Sequence, residues 1–240
     1  MHSPFIYNFL IKCLYATSSK QNLKQLKQNR RVFFNSNKVI QMTDSGQGSQ
    51  RFKTTSRNVK TIAKKAGMPW HQSKLMNKVI GYFNIKSALE LGTSIGLGSV
   101  AMATNHSDLQ IETIEACPNT STFAKSKFEE LRLINIKVYN QDFQSYLKQL
   151  SKDKKFDLIY IDGHHQKEAT INYFISVKKH IHSKSIIILD DIYWSKGMQE
   201  AWQTICKDPK VKVSIDLYFW GIVFVNPNLT KQDFKIRCFF

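Results

Sequence analysis

An α/β fold, wound on both faces of a mostly parallel sheet, is predicted by three features of this 240-residue chain. Short apolar runs alternate with helical stretches from residue 73 onward. That alternation is the pattern of right-handed strand-helix-strand units. The last two apolar runs, however, are joined by too few residues for another crossover, so they form an antiparallel pair. The length allows one large domain or one domain with an appendage, and the 42% hydrophobic content is enough for a real core.

The elements follow from spacing. Between Ser73 and Phe83, the residues Leu75, Met76, Val79, Ile80 and Phe83 fall on one helical stripe, which predicts a helix packed on a core. Strands are predicted at 87–91, 110–114, 136–139, 156–161 and 185–189, with helices between them, notably Asn119 to Leu133 and Lys167 to Ile181. Val211 to Leu217 and Ile222 to Val225 make the antiparallel pair across Tyr218, Phe219, Trp220 and Gly221.

The segment before this pattern differs in charge. Residues 1–84 hold fifteen Lys or Arg against Asp44 alone, a net +14, whereas the remainder balances twenty basic with seventeen acidic residues. Residues 18–31 are polar and basic with only Leu23 and Leu26 as apolar anchors, predicting at most a short surface helix. Residues 35–58 are rich in Ser, Gln, Thr and Gly, including Asp44 to Ser49, and read as a linker or as a lid over a site. Residues 1–60 are thus expected to be a basic helical or irregular extension and residues 61–240 the α/β domain. Clustered positive charge suits nucleic acid, an anionic membrane or an acidic substrate, but a lysine-rich solvated surface has the same composition.

The cysteines Cys13, Cys117, Cys206 and Cys238 lie far apart with no C-x-x-C pair, which fits reduced thiols and a cytoplasmic location. The apolar stretch Phe5 to Ile11 lacks a basic region before it and a small-residue cleavage site after it. No run reaches the roughly 20 apolar residues of a membrane span, so a soluble protein is expected.

In an open parallel sheet, ligands bind beyond the carboxyl ends of the strands. After the first strand comes Glu90-Leu91-Gly92-Thr93-Ser94-Ile95-Gly96-Leu97-Gly98, a glycine-rich turn that is neither G-x-G-x-x-G nor a Gly-Lys-Ser/Thr phosphate loop. The second strand closes on Glu115, a carboxylate able to accept from two ribose hydroxyls. The third is followed by Asp142 and Phe143, an acid for an adenine amino group and a ring to cover the base. The fourth runs into Asp162-Gly163-His164-His165 and the fifth into Asp190-Asp191. Neighbouring strand ends would bring these three aspartates together, and close carboxylates repel unless a cation or proton neutralises them. Oxygen-only ligation would favour Mg²⁺. The plain alternative makes Asp190 a helix N-cap and Asp191 a partner of the helix dipole.

From Ser73 onward the sequence resembles the class I S-adenosylmethionine-dependent methyltransferases. The resemblance implies a Rossmann-like, doubly wound, seven-stranded sheet with an antiparallel last strand. It also implies that Glu90, Gly92, Gly96 and Gly98 hold the methionine half of the cofactor, that Glu115 holds the ribose, that Asp142 and Phe143 hold the adenine, and that Ser94 and Asp162 also contact the cofactor. The three aspartates resemble the ligands of the metal-dependent O-methyltransferases of the catechol, caffeoyl-coenzyme A and macrocin types, which carries the metal role to Asp162, Asp190 and Asp191. Where the catechol type has a lysine base, this chain has His165; a neutral imidazole can accept a hydroxyl proton near neutrality, and His164 competes for that role.

The expected activity is methyl transfer to a small-molecule hydroxyl. Two alternatives are a nucleic-acid methyltransferase using the basic leader, although the Asn-Pro-Pro-aromatic motif of base amino-methylation is lacking, and a noncatalytic cofactor-binding module. The leader is open to packing on the domain, covering the site or joining a homodimer.

Overall fold

The computed structural model describes residues 3–43 and 55–237. Asp44 to Ser49 and Cys238 therefore lie outside the described residues. Cys13, Cys117 and Cys206 are free thiols.

The chain opens with α1 (Pro4–Phe9), which has proline in its first turn and Ser3 as N-cap, and continues into a π-helical turn (Leu10–Leu14). Ile6, Phe9, Leu10, Cys13 and Leu14 are buried, and the Phe5 and Phe9 rings pack edge-on against Phe224 from the sheet. Next comes α2 (Lys20–Phe34), capped by Ser19.

This helix corrects the short surface helix expected from its composition. Its buried face carries Leu26 and Phe33 together with the polar residues Asn29 and Arg30. Asn29 donates to Thr104 Oγ1 at 3.0 Å. Arg30 donates to Ser73 Oγ and, at 2.8 Å, to the Met68 carbonyl, and its guanidinium lies near the Phe34 and Trp70 rings. Burial lowers the Arg30 pKa to about 10. Partners for both polar side chains make this burial tolerable.

Beyond it, β1 (Val39–Gln41) and β2 (Ser56–Asn58) pair antiparallel, with Ile40 opposite Arg57. α3 (Val59–Lys65), capped by Asn58, leads to α4 (Trp70–Phe83), whose buried Leu75, Met76, Val79 and Ile80 form the stripe read from the sequence.

The main body then alternates β3 (Ser87–Leu91), α5 (Leu97–Ala103), β4 (Gln110–Ile114), α6 (Pro118–Glu130), β5 (Ile136–Tyr139), α7 (Phe143–Gln149), β6 (Phe156–Ile161), α8 (Lys167–Val177), β7 (Ile181–Asp190), α9 (Lys196–Cys206), β8 (Val213–Asp216), β9 (Trp220–Phe224) and β10 (Gln232–Lys235). The sheet order is β10-β8-β9-β7-β6-β3-β4-β5. β9 runs antiparallel to both β7 and β8, as the short connection predicts. β10 adds an edge strand parallel to β8, one more than expected. Helices cover both faces: one core holds the leader, α4 and α5, and the other holds α7, α8 and α9. Ile186 to Leu189 are at most 1% exposed, which is why β7 reads as an unbroken apolar run. The order reverses at β3 and β6, and ligand crevices in such sheets form at that reversal.

Candidate active site

A cavity of about 830 Å³ opens at the carboxyl ends of β3, β4, β6 and β7, within the range of small-molecule and cofactor sites. Gly92, Ser94, Glu115, Asp142, Phe143, Asp162, His164, His165, Asp190 and Asp191 all line it. Several rim residues take left-handed backbone angles: Ser94 after β3, His164 and His165 after β6, and Asp191 after β7. Such angles are costly for residues other than glycine and cluster at functional sites.

At the β3–β4 end the site is built from backbone. Gly92 has φ +114°, and a Cβ there would collide with the Asp162 carbonyl, so only glycine lets the β3 and β6 turns touch. Glu115 accepts from Ser94 N through Oε2 and from Cys117 N through Oε1, both at 2.9 Å. Burial raises its pKa, and these amides pull against that rise. Asp142 caps α7, accepting from Ser145 N at 2.9 Å, and hydrogen bonds from the Ser145 side chain and amide lower its pKa. The Phe143 ring packs edge-on against His164 and Tyr173.

Three of the expected cofactor residues stand back from the cavity. Glu90, Gly96 and Gly98 lie outside the cavity wall. Glu90 is wholly buried beneath the glycine turn, where Ser99 Oγ and Thr113 Oγ1 donate to its Oε2, and a Cβ on Gly98 would strike its Oε1. Burial raises the Glu90 pKa from an ordinary 4.5 to about 8. Gly96 starts α5 at φ +100°, against the Phe128 ring. These residues shape the turn from behind.

The β6–β7 end is built from side chains. One donor atom each from Asp162, His165 and Asp190 lies within 4.8 Å of the other two. His165 Nε2 is 3.7 Å from Asp162 Oδ1, and the His165 ring lies 5.9 Å from that of Trp194. Behind the carboxylates stand two wholly buried aromatics: Tyr160 OH donates to Asp162 Oδ2 at 3.2 Å, and Trp220 Nε1 donates to Asp190 Oδ1 at 2.7 Å. Burial raises the pKa of both aspartates, Asp190 most strongly, because Asp162 and Asp191 add negative charge beside it. Repelling carboxylates next to an imidazole are a donor set that a divalent cation would neutralise.

This differs from the expected ligand set. Asp191 lines the cavity but is not in the converging group; it takes φ +49° as the chain leaves β7, and its amide donates to the Phe219 carbonyl. His165, whose Nε2 faces Asp162 Oδ1, is in that group, and Asp191 lies near enough to add its charge to both aspartates. The capping alternative is also overturned, since Ser195 caps α9 and accepts from Met198 N at 3.1 Å. His164 turns away from the acids: its Nδ1 shares a 2.8 Å hydrogen bond with Tyr173 OH, and burial keeps its pKa low. It braces Phe143.

Sequence reasoning missed Met68 and Gln72, which reach the cavity from the turn and helix after α3, and Met42, Thr43 and Arg57 from the β1–β2 pair. No motif marks them. Cys117, two residues past Glu115, could have been found from its place at a strand end.

Residues 89–192 match the family model described as a methyltransferase domain. No curated protein sequence matches the chain. Among solved structures, SAH-bound Podospora anserina methyltransferase PaMTH1 is similar with a TM-score of 0.63 and 15% identity, over 92% of this chain and 93% of that one. The O-methyltransferase from Bacillus cereus in complex with SAH gives 0.57 and 17%, over 91% and 96%. TomG from Streptomyces achromogenes, an O-methyltransferase of tomaymycin synthesis in complex with SAM, gives 0.59 and 14%, over 92% and 95%. Residues 89–192 thus match a methyltransferase-domain model, and the chain has the Rossmann-like α/β fold of the solved methyltransferases it resembles.

Proposed function

We propose that the protein transfers a methyl group from S-adenosylmethionine to a hydroxyl oxygen of a small molecule, with a divalent cation held by Asp162, His165 and Asp190. The observation that carries this reading is that these three donors converge in the same cavity as Gly92, Glu115 and Phe143.

Each oxygen of Glu115 already accepts one backbone N–H and has lone pairs left for the two ribose hydroxyls. Phe143, held by His164 and Tyr173, offers a flat wall for the adenine. Gly92 lets the sulfonium end approach the backbone between the two ends of the site. The cation, when bound, orients an acceptor hydroxyl and stabilises its conjugate base. A mixed oxygen and imidazole set is less suited to Mg²⁺ than an all-oxygen one and admits first-row ions such as Mn²⁺. The protein's main contribution is alignment: the donor is already activated, and the wall must place an oxygen in line with it and exclude water.

The test uses labelled methyl transfer from S-adenosylmethionine to a panel of vicinal diols and catechols. Transfer that EDTA abolishes and Mn²⁺ or Mg²⁺ restores supports the reading. Cofactor binding with EDTA-insensitive transfer would remove the cation from it.

A second reading draws on α2, where Lys20, Lys24, Lys27 and Arg31 are exposed at helical spacing along one face. A nucleic-acid substrate held there would lose affinity steeply with salt. Salt-sensitive RNA methylation that fails when these four are replaced by glutamine would favour it. No helix among the described residues is long and apolar enough to cross a membrane.

A further inference from the structure

We propose that Tyr160 and Trp220 are positioning residues for the cation site, each holding one carboxylate so that its second oxygen points at the shared ion position. This rests on the reading of Asp162, His165 and Asp190 as ligands, and it adds residues that no motif marks.

The geometry comes from the sheet. Tyr160 and Asp162 are two residues apart at the end of β6, so their side chains leave the same face. Trp220, the first residue of β9, sits directly opposite Asp190, the last of β7, in the antiparallel register. The two rings meet edge to face, with centroids 5.9 Å apart, and neither has solvent exposure. From this one aromatic unit the phenol donates to Asp162 Oδ2 and the indole to Asp190 Oδ1. The second oxygens lie on the side of the shared position: Asp162 Oδ1 faces His165 Nε2, and the two carboxylates are close enough to hydrogen-bond each other.

A buried tyrosine or tryptophan ordinarily finds some acceptor for its polar tip, and backbone carbonyls are the commonest supply. Here both acceptors are carboxylates of the same donor group, reached from different strands by rings that touch each other. Such outer contacts fix ligand orientation, and losing one typically weakens metal binding by about ten- to a hundredfold.

The test is Mn²⁺ titration by calorimetry on the full chain saturated with S-adenosylhomocysteine, comparing wild type, Tyr160→Phe and Trp220→Phe. Tyr160→Phe keeps the ring and removes only the donor. Expected is a Mn²⁺ dissociation constant at least about tenfold higher in each variant, with S-adenosylhomocysteine binding unchanged. In an Asp162→Ala background, Tyr160→Phe should cost nothing further, since the group it orients is gone. A Tyr160→Phe protein that binds S-adenosylhomocysteine normally and retains wild-type Mn²⁺ affinity overturns the proposal; if Trp220→Phe does not fold, Tyr160→Phe decides alone. Wild-type protein that binds S-adenosylhomocysteine but no Mn²⁺ overturns the ligand reading itself, and the positioning role with it.

Discussion

The two ends of the cavity hold their carboxylates in opposite ways. Glu115, at the end of β4, is satisfied by two main-chain amides, so its geometry is set by the fold alone. Asp162 and Asp190, at the ends of β6 and β7, each receive one aromatic donor and lie against each other, with His165 beside Asp162 and the charge of Asp191 nearby. The first arrangement is complete without any ion, while the second is left with repulsion that a cation would relieve. On the function proposed above, the difference separates a ready-made seat for a neutral sugar from one that a cation would complete.

The strongest way to break this comparison is Asp190→Ala. Methyl transfer should fall by roughly a thousandfold or more, since several kcal/mol of cation stabilisation is removed. S-adenosylhomocysteine binding, measured by calorimetry, should be kept. Equal losses at both ends would show that they are not independent.

Glu115→Gln probes the other end. Converting a charged acceptor to a neutral one should weaken S-adenosylhomocysteine by roughly ten- to a hundredfold, in line with about 1.5–3 kcal/mol for a hydrogen bond to a charged group. Mn²⁺ affinity should not change.

A third prediction concerns the buried floor. The Glu90 pKa is raised from 4.5 to about 8, so between those values the folded chain keeps a proton that the unfolded chain has lost. Its contribution is therefore fully present below about pH 4.5 and is lost as pH rises through 8. Glu90→Gln should flatten that part of the stability curve in urea titrations across pH 5 to 9. An unchanged slope would mean that another group governs it.

The smallest effect belongs to Asp191→Asn, which should leave Mn²⁺ affinity within about a factor of three of wild type, as expected for a change under 1 kcal/mol outside the donor group. A loss as large as that of Asp190→Ala would restore the paired-aspartate ligand set.

The fold was legible because periodicity carries it: the apolar stripe of α4, the run Ile186 to Leu189 and the short step from β8 to β9 each have one structural solution. The positions of Glu115 and Asp162 followed from strand ends. What the sequence concealed depends on partners distant in the chain. The buried face of α2 is partly polar, and Arg30 fits there only because Ser73 and the Met68 carbonyl receive it. β10 is short and half exposed, with no apolar run to announce it. The grouping of His165 with Asp162 and Asp190 turns on backbone angles at the rim, which residue order does not encode. Glu90 stands in the glycine turn, and its inward direction toward Ser99 and Thr113 follows from the register of β3, which the motif alone does not give.

The most direct test is a crystal of the protein grown with S-adenosylhomocysteine and Mn²⁺, with anomalous scattering used to locate manganese. The account predicts a peak within bonding distance of Asp162, His165 and Asp190, beside the cofactor sulfur. Cofactor bound against Glu115 with no peak at those three residues, or with manganese elsewhere, would contradict it.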